Sequence, residues 1–232
     1  MGVHRPTPEE ELNPGPPTEP RQAASVIVLR GAAAALEVLL VRRNPAARFM
    51  GGAWVFPGGA VDAVDVAAGE RDEGASRPAG ETDLRDPAHR AAAVREVAEE
   101  AGLALPDPAA LIKFSRWITP PEIATRFDTH FFLAAAPPGQ APRADGEETV
   151  DLGWHTPAGA LDAYRRGALE LVFPTIRHLE QVATFPTAEA LLAWASGREV
   201  VAVEPRVLVT GETARIVLPG EPGYRDVAEG EP

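Results

Sequence analysis

The sequence has no cysteine, a single lysine (Lys113), two methionines and two tyrosines among 232 residues. Without cysteine there is no disulfide framework, no thiolate metal site and no cysteine nucleophile. No apolar run approaches the ~20 residues that a membrane-spanning helix requires. No basic-then-apolar leader opens the chain either. A cytoplasmic protein with no membrane partner is therefore expected. Positive charge is scarce too: 22 Lys and Arg against 34 Asp and Glu give a formal net charge of −12. A non-specific nucleic-acid binder would show a basic footprint, so nucleic acid is not an expected partner. Anionic small molecules stay open, because bound cations can invert a local field. Hydrophobic residues make up 45 % of the chain, enough for an ordinary core, and the length suits one domain with extensions or at most two small ones.

The most informative stretch is Arg95-Glu96-Val97-Ala98-Glu99-Glu100-Ala101-Gly102-Leu103. Asp86 suits an N-cap, Pro87 the first helical position and Gly102 a left-handed C-terminal cap. At 100° per residue, Val94, Val97 and Ala101 share one face, to pack on a sheet, and Glu96, Glu99 and Glu100 share the opposite one. Like charges at i, i+3 and i+4 repel, so this face needs something to offset it. A divalent cation with oxygen ligands is the functional explanation; a solvated acidic face is the bland one. Arg95 lies beside the acidic face, placed to orient Glu96 by a charge-assisted hydrogen bond.

Other segments give the layout. Residues 1–21 are rich in Pro and Glu and read as a disordered tail. Residues 23–30 and 36–42 suit a hairpin, and 54–57 a short strand before a Gly58-Gly59 turn. Residues 111–118 and 127–135 read as strands, 137–146 as a loop, and 157–166, 175–183 and 187–195 as helices. Strand signals follow at 199–203 and 206–209, and the last dozen residues look irregular. His130, among Phe127, Phe131 and Phe132, reads as a structural histidine. Trp54 and Trp117 read as core more readily than as base-stacking groups.

The helix, the "Phe56-Pro57-Gly58-Gly59" turn and a separate acidic pair at Glu147-Glu148 together resemble the Nudix hydrolase family. Its signature is G-x5-E-x7-R-E-U-x-E-E-x-G-U, U being bulky and aliphatic, and 95–103 match every specified position. The signature's first glutamate corresponds to Asp65, a shorter carboxylate. Arg95 follows it by 30 residues where the signature has eight, so 22 extra residues intervene. The segment 66–85 reads as an inserted surface loop, and such insertions are thermodynamically cheap. An interrupted box of this kind is similar to the coenzyme A diphosphatase-like subfamily. So are Val41-Arg42-Arg43, Arg48-Phe49-Met50, the run from Arg126 to Phe132, and Phe173-Pro174-Thr175.

The resemblance implies an α/β fold, the Nudix α/β/α sandwich with a mixed sheet, over residues 22–218. Residues 157–218 would form a helical C-terminal extension and 219–232 an irregular tail. It implies Mg²⁺ or Mn²⁺ held by Glu96, Glu99, Glu100, the Gly58 carbonyl and Glu148. Glu96, Glu99, Glu148 and Arg95 would be catalytic, with Glu96 or Glu148 as general base and Glu147 the second choice. A solvated loop carboxylate is the alternative for Glu148. Arg42, Arg43, Arg48 and Arg126 are the candidates for pairing with phosphates. The implied activity is hydrolysis of a diphosphate bond in a nucleoside-diphosphate derivative, coenzyme A or acyl-CoA first. ADP-ribose or dinucleotide pyrophosphatase activity is the alternative enzyme, and a non-catalytic nucleotide-binding regulator the alternative class. The absence of cysteine sets the chain apart from isopentenyl diphosphate isomerases. A homodimer is compatible with the sequence and not fixed by it.

Overall fold

The computed structural model describes residues 12–31, 35–47, 49–72, 86–210 and 213–228. Two strands, β1 (Arg21–Arg30) and β2 (Glu37–Arg43), form the expected hairpin, with Leu29 opposite Val38. Their pairing covers only two residue pairs, because β1 turns to other partners. It runs parallel to β6 (Phe127–Ala135) over nine residues. It also pairs antiparallel with β4 (Gly58–Ala60), while β2 takes β3 (Trp54–Val55) and β7 (Thr149–His155). Beyond β6 come β5 (Ile112–Ile118) and β8 (Ala202–Val203), which closes an eight-stranded mixed sheet.

The period of two sorts β1 cleanly. Ala24, Val26 and Val28 face helix α2 (Asp86–Ala101) with Val97, Ala101 and Phe132. Ile27 and Leu29 face the other way, with Phe131 and Leu133. That second face is closed by α3 (Pro157–Arg165), α4 (Phe173–Val182) and α5 (Ala188–Ala195), through Leu161, Leu179 and Leu191. The expected mixed sheet between helical layers is thus present. A bulge between Lys113 and Ser115 puts Phe114 and Ser115 on the same side, so Lys113 reaches towards α2 while Ser115 meets His178 at 2.6 Å.

Several expectations need correction. Residues 12–20 are docked rather than a free tail: Leu12 bridges Ile123, and the Thr18 carbonyl accepts from Arg126 at 2.6 Å. Residues 1–11 lie outside the described residues. The segment expected to be a loop from residue 66 begins as helix α1 (Ala63–Asp72), packed so closely on α2 that a Cβ on Gly69 would sit 2.7 Å from the Ala88 nitrogen; residues 73–85 lie outside the described residues. Gly58 and Gly59 form a strand rather than a turn, because β1 supplies ladder partners. The helices of the 157–218 extension pack on the sheet and complete its second core. Beyond it, β9 (Arg206–Thr210) and β10 (Thr213–Val217) make a separate hairpin, and the tail contains α6 (Tyr224–Ala228). No helix among the described residues is long and apolar enough to cross a membrane.

Asp86 does more than start α2. It is fully buried, and its Oδ1 takes the Lys113 ammonium at 2.7 Å and His130 Nδ1 at 2.9 Å. His130 stacks on His89 at 3.8 Å, and His89 meets the Gln22 amide at 3.1 Å. His130 is the structural residue expected of it. Removing one partner from a buried charge strands the other. Lys113→Met is expected to destabilise the fold by about 3 kcal/mol, measured as the shift in urea midpoint at unchanged slope.

Candidate active site

Arg95 is the hub of the site. Its Nε and Nη2 donate to the two oxygens of Asp65 at 3.0 and 2.8 Å, a bidentate pair. Its Nη1 donates to Glu96 Oε1 and Glu99 Oε2, both at 2.8 Å, and Nη2 also donates to the Ala60 carbonyl at 3.0 Å. One guanidinium therefore ties α1, β4 and two turns of α2 together. This raises the Arg95 pKa, through Asp65 first and Glu96 and Glu99 after, against the opposing effect of burial.

The two glycines explain how β4 comes so close. A Cβ on Gly58 would lie 2.6 Å from the Ser25 Cα, and one on Gly59 would lie 2.6 Å from the Glu96 Cδ. At Gly58 backbone leaves no room for a side chain, and at Gly59 one would displace the Glu96 carboxylate. The Gly58 N–H donates to Glu100 Oε2 at 2.9 Å. Burial pushes the Glu100 carboxyl up to about 8; Gly58 and Arg43 oppose this, and the charges of Glu96 and Glu148 add to it. Glu96 is also raised, by burial first, with Arg95 opposing and Glu99 and Glu148 adding.

Glu148 is exposed on the loop before β7, close enough for its charge to act on both Glu96 and Glu100. Asp145 shapes that loop: its carboxylate accepts the N–H groups of Glu147, Glu148 and Thr149. Thr149 then donates through Oγ1 to the Glu100 carbonyl at 2.7 Å, fixing the loop to α2.

A model of the NUDIX domain matches residues 19–173. The chain is 27 % identical to the human (Homo sapiens) acyl-coenzyme A diphosphatase NUDT19 over an alignment of 312 positions, covering 92 % of this chain and 82 % of that protein. The crystal structure of a Nudix hydrolase from Alicyclobacillus acidocaldarius superposes with a TM-score of 0.68 at 31 % identity, covering 76 % of this chain and 96 % of that one. The chain belongs to the Nudix hydrolase family.

Membership makes it a hydrolase, and the donors suit the divalent cations that Nudix hydrolases use. They are all oxygens, the choice of a hard cation. Two of the carboxyls, Glu96 and Glu100, are buried and repel each other, which a dication would relieve. Arg95 takes one oxygen of Glu96 and one of Glu99, and a carboxylate has a second to give. A different set of potential ligands, Asp86 and His89 with His130 of β6, lies at the other end of α2, roughly 15 Å away. There the ring planes are parallel and 7° apart, so their lone pairs do not converge, and the Lys113 ammonium already neutralises Asp86.

Of the sequence-based candidates, Arg95, Glu96, Glu99, Glu100, Gly58 and Glu148 come together. Arg43 is close enough to lower Glu100 and is held by the Phe49 carbonyl at 3.2 Å. Arg42 instead turns to the Gly52 carbonyl at 3.4 Å. Arg126 is a correction: it is buried, with donors going to the Thr119 and Thr18 carbonyls and to Glu204 at 2.7 Å, so its guanidinium is engaged in pinning the chain. Arg48 lies outside the described residues. Residues not anticipated are Asp145 and Thr149. The Asp145-Gly146 pair is a turn signal that marks this loop, though not its attachment to α2.

Two outcomes test this geometry. Asp65→Ala removes the bidentate partner of Arg95 and is expected to lower kcat by about 10- to 100-fold, as loss of a carboxylate supporting a metal site does, with Asp65→Glu recovering most of it. The raised Glu100 also links stability to pH. Its folded pKa, about 8, exceeds the ordinary 4.5, so its contribution is fully present below about 4.5 and is lost as pH rises towards 8. The Tm of metal-free wild type, relative to Glu100→Gln, is expected to fall between pH 5 and 8 by scanning calorimetry, and Mn²⁺ to flatten the difference.

Proposed function

We propose that this Nudix hydrolase is a Mg²⁺- or Mn²⁺-dependent diphosphatase acting on coenzyme A or acyl-CoA. The observation that carries the chemistry is the convergence of Glu96, Glu99, Glu100 and Glu148 around one arginine-held turn of helix. The substrate class is supported by the match to a human acyl-coenzyme A diphosphatase along nearly the whole chain. The interrupted signature supports the same class.

In this reading Glu96, Glu99 and Glu100, with the Gly58 carbonyl, hold the metal. A bound dication would neutralise the diphosphate charge, orient it and lower the pKa of an attacking water. The chain's residues do the rest. Arg95 holds Glu96 and Glu99 in fixed rotamers, so no reorganisation is needed when substrate binds. Glu148, exposed and carried on a loop clamped by Asp145 and Thr149, takes the water proton; Glu96 is the alternative base. Arg43 supplies positive charge for phosphate oxygens. Asp65, the departure that would favour a catalytically silent domain, is bonded to Arg95 through both oxygens and so keeps the hub intact.

The test is turnover with Mg²⁺ or Mn²⁺ of coenzyme A, acyl-CoA, ADP-ribose, NADH, diadenosine polyphosphates and dNTPs, with product masses locating the broken bond. Release of 3′,5′-ADP and phosphopantetheine (or acyl-phosphopantetheine) is expected, with Glu99→Gln at least 100-fold slower. ADP-ribose as preferred substrate would overturn the coenzyme A assignment. No turnover of any substrate, or full activity in Glu99→Gln, would overturn the diphosphatase itself.

A further inference from the structure

Pairing across the sheet places Ala60, Ala23, Thr129, Trp117 and Val203 in one row that crosses β4, β1, β6, β5 and β8. Side-chain alternation puts this row on the α4 side of the sheet. Thr129 shares a face with Phe131, and Trp117 packs edge-on against Phe173 and His178. The near end of the row reaches the sheet edge at β4, where the Ala60 carbonyl accepts from Arg95 and the α2 carboxylates begin on the other face. The far end meets a cavity of about 480 Å³ lined by Trp117, Arg177, Gln181, Val203, Leu218 and Pro219. Four strand spacings separate the two ends, roughly 19 Å. Between Ala60 and Trp117 the row holds only small residues, Ala23, which is buried, and Thr129.

We infer that this cavity binds the apolar acyl end of a long substrate whose diphosphate lies at the α2 carboxylates; the inference rests on the coenzyme A reading above. The cavity falls in the ~300–1,000 Å³ range of small-molecule sites. Its walls are an indole, a valine, a leucine and a proline. Its two charged groups, Arg177 and Glu180, pair with each other at 2.6 Å, so the site offers no uncompensated cation to a phosphate and suits an uncharged group. The length agrees as well. An extended pantetheine arm has about a dozen bonds and reaches roughly 15 Å at the advance per bond of an extended chain, which leaves the acyl carbons to fill the cavity. A second cavity of about 190 Å³ shares Trp117, Gln181 and Val203 and continues towards Trp194 and Val201, giving longer chains further room.

S-octanoyl-pantetheine, which has no nucleotide and no diphosphate to cleave, separates this inference from the activity. Calorimetric titration into the full chain is expected to show saturable binding that Leu218→Trp and Val203→Trp each weaken at least tenfold. In parallel, the ratio of kcat/KM for octanoyl-CoA over coenzyme A is expected to fall about tenfold in both variants. Circular dichroism identifies a variant that fails to fold, and the other then decides. No binding by wild type, or binding that neither folded variant weakens, overturns the acyl site. Binding without turnover of any coenzyme A derivative would instead overturn the proposed substrate and leave the apolar cavity standing.

Discussion

Everything at this site depends on the Arg95 guanidinium. Two unit charges 4 Å apart interact by about 4 kcal/mol at an effective dielectric near 20. A metal-free cluster of Asp65, Glu96, Glu99, Glu100 and Glu148 would therefore fly apart or take up protons. Arg95 answers part of that repulsion by contacting three of the five directly. It does not contact Glu100, whose carboxyl is pushed up to about 8 by burial first, with the charges of Glu96 and Glu148 adding. Arg43 is the cation on that side and offsets only part of the carboxylate charge, which is the electrostatic condition for recruiting a dication.

The chemistry of that helix was legible because it follows from periodicity. Three glutamates at i, i+3 and i+4 cannot avoid sharing a face, and a helix with Pro87 at its start and Gly102 at its end has little freedom in its limits. Gly102 does take the left-handed conformation, at φ 62°. The conformation of Gly58-Gly59 was not legible. Two glycines after a strand spell a turn locally, and only β1, more than thirty residues earlier in the chain, converts them into a strand. Helix α1 was missed for a related reason. Its sequence is small and acidic with no apolar stripe, and what keeps it helical is the close approach at Gly69 and the Asp65–Arg95 bond, both tertiary.

Arginines were the least legible residues. Arg42, Arg43 and Arg126 carry the same charge in similar settings, yet one faces the carboxylates, one turns to a loop carbonyl and one is buried. Burying Arg126 requires carbonyls from residues 18 and 119 and a carboxylate from residue 204, a convergence with no local trace. Glu148 sits between these extremes. Its loop position is readable from Asp145-Gly146, while its proximity to α2 depends on the Thr149 hydroxyl reaching the Glu100 carbonyl.

The interrupted signature raises the question of how a chain tolerates 22 extra residues inside its catalytic motif. The answer lies at the two ends of the insertion. On one side Asp65 is held bidentately by Arg95. On the other Asp86 is held by Lys113 and His130 in a fully buried pocket. Both clamps are ionic, both are at least partly buried, and both attach to regular elements, namely α2 itself and the adjoining strands β5 and β6. Loop-closure entropy grows only with the logarithm of length, so an insertion between two fixed points adds little penalty. Asp65 reaches Arg95 with both oxygens although it is one methylene shorter than glutamate, and it does so from a helix that packs closely on α2.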